Sequence, residues 1–406
     1  MAEHHTIAPE HDPGAAAPAS AAAAEQQAPP PSRVLAAMLA SITAVGVTLG
    51  LSTPLFSVVL DRMGLSAAVV GLNTSVGVGA TLVSAPLVPW LLRRTGPVRI
   101  MLGGILLSGL GLLVAGYLHD AVLWFVIRFI IGVGMSLHWV ISETWINHVA
   151  SDDRRGFIAG VYSALMGLGF AIGPVILGIT GSEGALPFIV AAATVVLAVF
   201  PLLRVRGTGP GMDHQTGHSL LGVVHLAPVI MLASVISGFV DTATLALLPV
   251  YGLAQGMNEA TAVLQLTVAT IGAVVLQLPI GWLGDRFGRR RALVGCAALK
   301  TIAVALFPAA LDQPWLLWPI LFFWGGVMVA FYTLALALMG ARFRGDMLAQ
   351  ATSALVITYC LGSILGPLAI GGAMDAFGPA GFVAGMVAVS GLLATVGAIR
   401  IRSERF

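Results

Sequence analysis

The chain has 406 residues, of which 58% are hydrophobic and only 9% charged, with a mean hydropathy of +0.95 and a formal net charge of +2. A soluble domain carries about 25% charged residues, so this chain has too little polar surface to cover a water-soluble body of its size. Lipid must be the solvent for most of it, which excludes a soluble enzyme, a nucleic-acid binder and a disordered protein.

Residues 1–33 stand apart from the rest. They are rich in Ala and Pro and cannot bury enough apolar area to offset ordering entropy, so they read as a disordered tail. They have neither the basic start nor the apolar core of a signal peptide. His4, His5 and His11 in this tail read as incidental rather than as a metal site. Twelve apolar runs follow, at about 34–60, 66–92, 98–118, 121–147, 157–181, 185–203, 220–251, 260–282, 292–311, 314–340, 350–373 and 380–400. Each is near the roughly 20 residues that an α-helix needs to cross the hydrocarbon core. In lipid a backbone must satisfy its own hydrogen bonds, and period-2 alternation is missing, so the runs predict helices and not a β-barrel. The expected fold is therefore all-α and integral to the membrane. Cys296 and Cys360 fall inside apolar runs and read as small buried hydrophobes, with no disulfide framework and no metal site.

Charge checks the count. With a cytoplasmic N-terminus, the inner breaks hold 17 of the 20 basic residues: Arg33, Arg93, Arg94, Arg99, Arg154, Arg155, Arg204, Arg206, Arg286, Arg289, Arg290, Arg291, Arg342, Arg344, Arg400, Arg402 and Arg405. The outer breaks hold Arg62 together with Asp61, Asp120, Glu183, Glu259, Asp312 and Asp375. This is the positive-inside pattern, with both termini expected in the cytoplasm.

The polar stretch 204–219 divides six spans (34–203) from six (220–400), leaving 401–406 as a short tail. The two sets resemble each other. LASITAVGVTLGLSTPLF opens the first and LASVISGFVDTATLALLPVY the second; PWLLRRTGPVR in one corresponds to GWLGDRFGRRR in the other. Spans five and eleven both carry G-x-x-x-G-P, at Gly169, Gly173 and Pro174 and at Gly362, Gly366 and Pro367. A parallel repeat of six-helix units is a transporter architecture, with its site between the units near the midplane.

These motifs resemble the major facilitator superfamily over all of 34–400. GWLGDRFGRRR fits the family's loop motif at Gly281, Asp285, Arg286, Gly288, Arg289 and Arg290. Arg128 and Gly132 fit the R-x-x-x-G pattern of the fourth helix. Gly160, Gly169, Gly173, Pro174 and Gly178 resemble the glycine spacing of an antiporter motif, and SETWINHVASDDRRG resembles an orphan bacterial branch with E-[ST]-W at this place. The first loop motif departs from the pattern, with Pro89 for the Gly and Arg93 for the Asp, and the fifth span ends in Leu177-Gly178 rather than two glycines. The resemblance implies a twelve-helix, two-bundle secondary transporter of a bacterial inner membrane. It would be a monomer that moves a small molecule by alternating access, with the proton as coupling ion in an export (antiport) cycle. A symporter or uniporter importing a small metabolite, a receptor on the same fold, and an intramembrane enzyme are the alternatives.

Asp285 with Arg286, Arg289 and Arg290 suits a charge-assisted latch on the inner side, and Gly281 and Gly288 suit close approach and a tight turn. Gly169 and Gly173 share a helix face suited to close packing near the seam between halves, with Gly160 roughly opposite. Pro174 can kink that helix. An ionisable group at bilayer depth costs about 2.5–3.5 kcal/mol on insertion scales, so it faces a cavity or a partner. Four such groups stand out: Arg128, Glu143, Asp241 and Lys300. On span four, Arg128, Gly132, Met135, Trp139 and Glu143 share a face about 80° wide. Ser234, Ser237, Asp241 and Thr244 form a stripe on span seven, Ser41, Thr48 and Ser52 on span one, and Trp324, Met328 and Tyr332 a ridge on span ten. The family resemblance places spans one, four, seven and ten around the central cavity, so these are the expected lining residues.

Asp241 is the first choice for a carboxylate that carries a proton or pairs with substrate, since closure from water favours its neutral form and opening its charged one. Arg128 suits an anionic substrate or a proton relay. Glu143 suits coupling or a structural bond to Arg154 or Arg155. Lys300 reads as a snorkelling or locally paired lysine, and His138 as a packed core histidine with a relay role open. No nucleotide-binding, dinucleotide-binding, hydrolase or C-x-x-C motif occurs, so no cofactor is expected and the energy must come from a gradient.

Overall fold

The computed structural model describes residues 31–118, 120–149, 155–205 and 225–402. The tail of residues 1–30, residues 206–219 of the central break and residues 403–406 lie outside them. Twelve helices of the described chain are long and apolar enough to cross a membrane. In chain order they are α1 (Pro31–Arg62), α2 (Ala67–Thr95), α3 (Pro97–Tyr117), α4 (Ala121–Val149), α5 (Arg155–Thr180), α6 (Leu186–Leu203), α7 (Pro228–Ala254), α8 (Glu259–Phe287), α9 (Arg289–Ala310), α10 (Pro314–Arg342), α11 (Gly345–Phe377) and α12 (Pro379–Arg400).

Their ends carry ordinary punctuation. Ser66 and Asn258, at matching places before α2 and α8, accept the amides of Val69 and Thr261 on their side chains. Proline opens α1, α3, α7, α10 and α12, where a missing N–H costs nothing. This moves two boundaries. The helix expected from 34 begins at Pro31, and the one expected from about 220 begins at Pro228. Pro86 and Pro89 break α2 into two helical pieces around a 3-10 turn at Ala85–Leu87. The α2–α3 and α8–α9 turns use glycines at φ 79 (Gly96) and φ 95 (Gly288), a conformation that a side chain would strain.

Within each half, α1–α6 and α7–α12, one tight helix pair recurs. α1 lies on α5 through Gly46 and Gly50 against Gly169 and Gly173; a Cβ on Gly50 would sit 2.6 Å from the Phe170 carbonyl oxygen. α7 lies on α11 through Gly238 against the backbone at Tyr359, and through Gly362 and Gly366 against that at Val235 and Phe239. The α5 glycines therefore pack inside their own half and not at the seam, because the seam face of α5 lies toward α8, where Gly167 meets Val274.

The halves meet through α2 with α11, α5 with α8 and α1 with α7. Asp61, Asp120, Glu183, Glu259, Asp312 and Asp375 gather at one end of the bundle, the acidic end; the Arg93–Arg99 and Arg286–Arg291 loops lie at the other, the basic end. Near the acidic end the halves are tied by hydrogen bonds. Asp375 accepts the amides of Ala67 at 2.8 Å and Ala68 at 3.1 Å, which caps α2 from α11. Arg62 pairs with Glu259, and Ser75 donates to the Ile364 carbonyl at 2.6 Å.

Candidate functional site

The polar stripe of α7 faces α11. Ser234 donates to the Leu355 carbonyl at 2.6 Å, and Ser237 to one oxygen of Asp241 at 3.3 Å. Gly238 has no side chain to hold α11 away, so Tyr359 comes close enough to donate its hydroxyl to that same oxygen, Oδ2, at 3.2 Å. The other oxygen, Oδ1, is buried and has no hydrogen-bond partner among the described residues, and the same holds for Oγ1 of Thr244 one turn along.

Lys300 on α9 is fully buried. Its ammonium lies 5.5 Å from the ring centre of Trp324 and 5.9 Å from that of Phe331, and makes no hydrogen bond among the described residues. Its charge interacts with that of Asp241, although the two groups do not touch. The snorkelling expectation is thus corrected. The lysine sits midway along a helix under an aromatic roof, and its stem cannot carry the ammonium to an interface. Trp324 is itself buried against Phe307 and Phe382, inside the C-terminal half, and so does not line an open space. Met328 is buried beside it, while Tyr332 from the same ridge sets its ring edge-on to Tyr359 at 5.2 Å.

Across from Tyr332 stands α4. Glu143 is exposed, accepts the indole N–H of Trp139 at 3.2 Å, and is near enough for its charge to act on Tyr332. A hydrogen bond and a ring contact thus join Asp241, Tyr359 and Tyr332 from α7, α11 and α10, while Lys300 and Glu143 act on this group through charge without touching it. Bonds from Glu143 to Arg154 or Arg155 would involve side chains outside the described residues.

Arg128 is elsewhere, buried toward the acidic end of α4. Its Nη2 donates to Thr53 at 3.0 Å, its Cζ lies 5.1 Å from the centre of the Phe56 ring, and its Nε is unpartnered. The R-x-x-x-G spacing has a packing cause: Arg128 and Gly132 both lie on Gly77 of α2. Among the described residues no carboxylate pairs with Arg128. The α1 stripe also faces inward. Ser41 bonds His138 of α4, and Thr48 bonds Thr194 of α6 at 2.9 Å; Ser52 is buried without a partner. Ser41 and Thr48 serve packing in their own half, since periodicity names a face and not its neighbour. His138 is a buried histidine held by Ser41.

In the loop motif, Arg289 grips Asp285 through Nε at 3.0 Å and Nη2 at 2.9 Å, and gives Nη1 to the Ala337 carbonyl at 2.9 Å. Arg286 lies over Trp282 at 5.2 Å and Phe287 at 5.7 Å. The motif therefore ties α8, α9 and α10 of one half and, through these bonds, not one half to the other. Gly281 faces open space, so close approach does not explain it, nor Gly160.

Sequence reasoning missed Tyr359 and the facing of Lys300 toward Asp241. A tyrosine in the apolar run of α11, four residues before Ser363, was the available signal. Chemically, the site offers a carboxylate with one oxygen held and one free, a desolvated cation that can balance it, and two neighbouring phenols. Such a set can hold a proton or bind a polar group that supplies the missing hydrogen bonds.

The chain matches the family model described as Major Facilitator Superfamily over residues 37–367 and 230–405. It is 29% identical to the "Uncharacterized MFS-type transporter YfkF" of Bacillus subtilis (strain 168), over 84% of this chain and 88% of that protein. It is 26% identical to the "Uncharacterized MFS-type transporter YcaD" of Escherichia fergusonii, over 73% and 78%. Its fold is like the crystal structure of the nucleoside transporter NupG, with a TM-score of 0.75 at 14% identity, covering 91% of this chain and 99% of that one. It is also like an inward-facing, unoccupied bacterial homologue of the human lysosomal transporter Spinster, with a TM-score of 0.71 at 15% identity over 91% and 95%.

Proposed function

Since this chain belongs to the Major Facilitator Superfamily, a family of membrane transporters and not enzymes, we propose that it is a proton-coupled exporter of a small organic molecule. It works as a monomer in a bacterial inner membrane. The basic end lies in the cytoplasm, as its arginines favour. The halves α1–α6 and α7–α12 rock about the midplane. The state described is tied at the outer, acidic end by Asp375 and by Arg62 with Glu259.

The observation that carries the reading is the half-satisfied Asp241 facing the unbonded Lys300. An ionised Asp241 is balanced by Lys300; a proton on Asp241 removes that balance and frees the ammonium for another partner. A buried charge left alone is costly, so protonation and rearrangement must go together. Tyr359 holds Asp241 by a hydrogen bond and lies edge-on to Tyr332, so in this reading the two tyrosines keep the carboxylate in place while it exchanges its proton. Arg128 stays balanced by a hydroxyl and a ring, and in this reading it orients an anionic or polar substrate group.

The experiment is uphill flux in proteoliposomes under an imposed pH gradient, screened across metabolites and antibiotics. Asp241→Asn is expected to abolish gradient-driven transport and to spare exchange. Undiminished uphill transport in that variant removes Asp241 from the mechanism. Arg286→Ala is expected to slow cycling with insertion intact, and normal turnover there leaves the loop as an anchor.

A further inference from the structure

A cavity of about 690 Å³ lies at the basic end of the C-terminal half, away from Asp241. It is formed where α8 turns into α9 and where α10 and α12 end. Arg289, Arg290, Arg291 and Arg402 line it, with Asp285 as the one acidic residue of its wall among the described residues. Asp285 is already taken by Arg289, so the charge left over is strongly positive. Arg290 leans on the Ile401 carbonyl at 3.4 Å. Arg291 and Arg402 are exposed, and among the described residues no hydrogen bond or ion pair holds either. Guanidinium groups brought together in a concave site call for an anion with several acceptor oxygens, and a phosphate fits their forked geometry.

The cavity is not wholly polar. Leu338 and Ile401 make up part of its wall. Phe287, on its rim, is 56% exposed, and nearby Trp282 and Ile399 are 56% and 77% exposed. The site thus sets a basic pocket beside an apolar flank at the end of membrane helices. A free phosphate needs only the first; a phospholipid needs both, with its headgroup among the arginines and its acyl chains on the flank.

We propose that this cavity binds the headgroup of an anionic phospholipid. The assignment is independent of the substrate and of proton coupling. The lipid joins α8, α9 and α12 at the surface of the half, next to the loop that the Asp285–Arg289 bond holds.

The test is native mass spectrometry of the purified full chain, comparing retention of phosphatidylglycerol, of phosphatidylcholine and of inorganic phosphate. Phosphatidylglycerol is expected to be retained selectively. The double variant R291Q/R402Q should bind it roughly thirty-fold more weakly, given about 1 kcal/mol for each basic residue at a membrane surface. R93Q/R94Q, at the matching loop of the other half, should bind as the wild type does. R291E/R402E, melting at the wild-type temperature without lipid, should lose selectivity altogether. Equal retention of both lipids, retention of inorganic phosphate in place of lipid, or equal losses in the two glutamine pairs would each overturn the proposal.

Discussion

In the N-terminal half the buried cation is Arg128, steadied by the Thr53 hydroxyl and the Phe56 ring, with no carboxylate beside it among the described residues. In the C-terminal half it is Lys300, which has no hydrogen bond, lies between Trp324 and Phe331, and faces Asp241. Both halves share the glycine-packed pair, the capped second helix and the glycine turn, so the scaffold repeats while the electrostatics do not. An arginine keeps its charge at any working pH, whereas a lysine beside a carboxylate belongs to a pair that can exchange charge. The difference sets a cation beside a carboxylate in one half and, among the described residues, a cation without one in the other.

The sharpest way to break this comparison is to remove each cation. Lys300→Met leaves Asp241 unbalanced and should lower stability by about 3–5 kcal/mol if the carboxylate stays charged, with most of that restored by adding Asp241→Asn. Arg128→Met leaves only a hydroxyl behind and should cost about 1–3 kcal/mol, with no rescue from Asp241→Asn. Thermal unfolding in one detergent measures all four variants. Equal losses and no rescue would mean that the halves do not differ in this way.

Next come the scaffold glycines, where the halves should behave alike. Gly173→Val and Gly366→Val each force a side chain onto the facing helix backbone and should destabilise by about 1–3 kcal/mol, or more where the helices cannot part. A half that tolerates the change is not built on the shared plan. Of similar size at most is Tyr359→Phe, which removes one hydrogen bond to a carboxylate, worth about 1.5–3 kcal/mol at full strength and less where Ser237 compensates. Uphill flux should fall while passive exchange persists; Thr53→Val in the other half should leave coupling unchanged. The smallest effect is expected from Asp375→Asn. Losing the negative charge at the start of α2 costs about 0.3–1 kcal/mol and should raise the labelling of cysteines placed at the acidic end.

The helix count and the sidedness of charge were legible because hydropathy and arginine placement are read along the chain without knowing any contact. The α4 face from Arg128 to Glu143 and the α7 stripe were legible for the same reason, as periodicity fixes which residues share a side. What periodicity cannot supply is the neighbour. Ser41 and Thr48 do share a side, but it faces α4 and α6. Lys300 and Asp241 are on different helices, and their charges come into range only through the assembled bundle, since α9 packs mainly on α10 and α12 and not on the span that carries Asp241. Tyr359 reaches Asp241 because Gly238 lets two backbones meet, a relation between positions more than a hundred residues apart.

The capping of α2 by Asp375 has a kinetic consequence. Two amide hydrogens, those of Ala67 and Ala68, have their acceptor on the opposite half of the molecule. Any rotation that parts the halves at that end leaves both without it until solvent arrives. Their deuterium uptake therefore reports how often the far doorway opens, whatever cargo the protein carries.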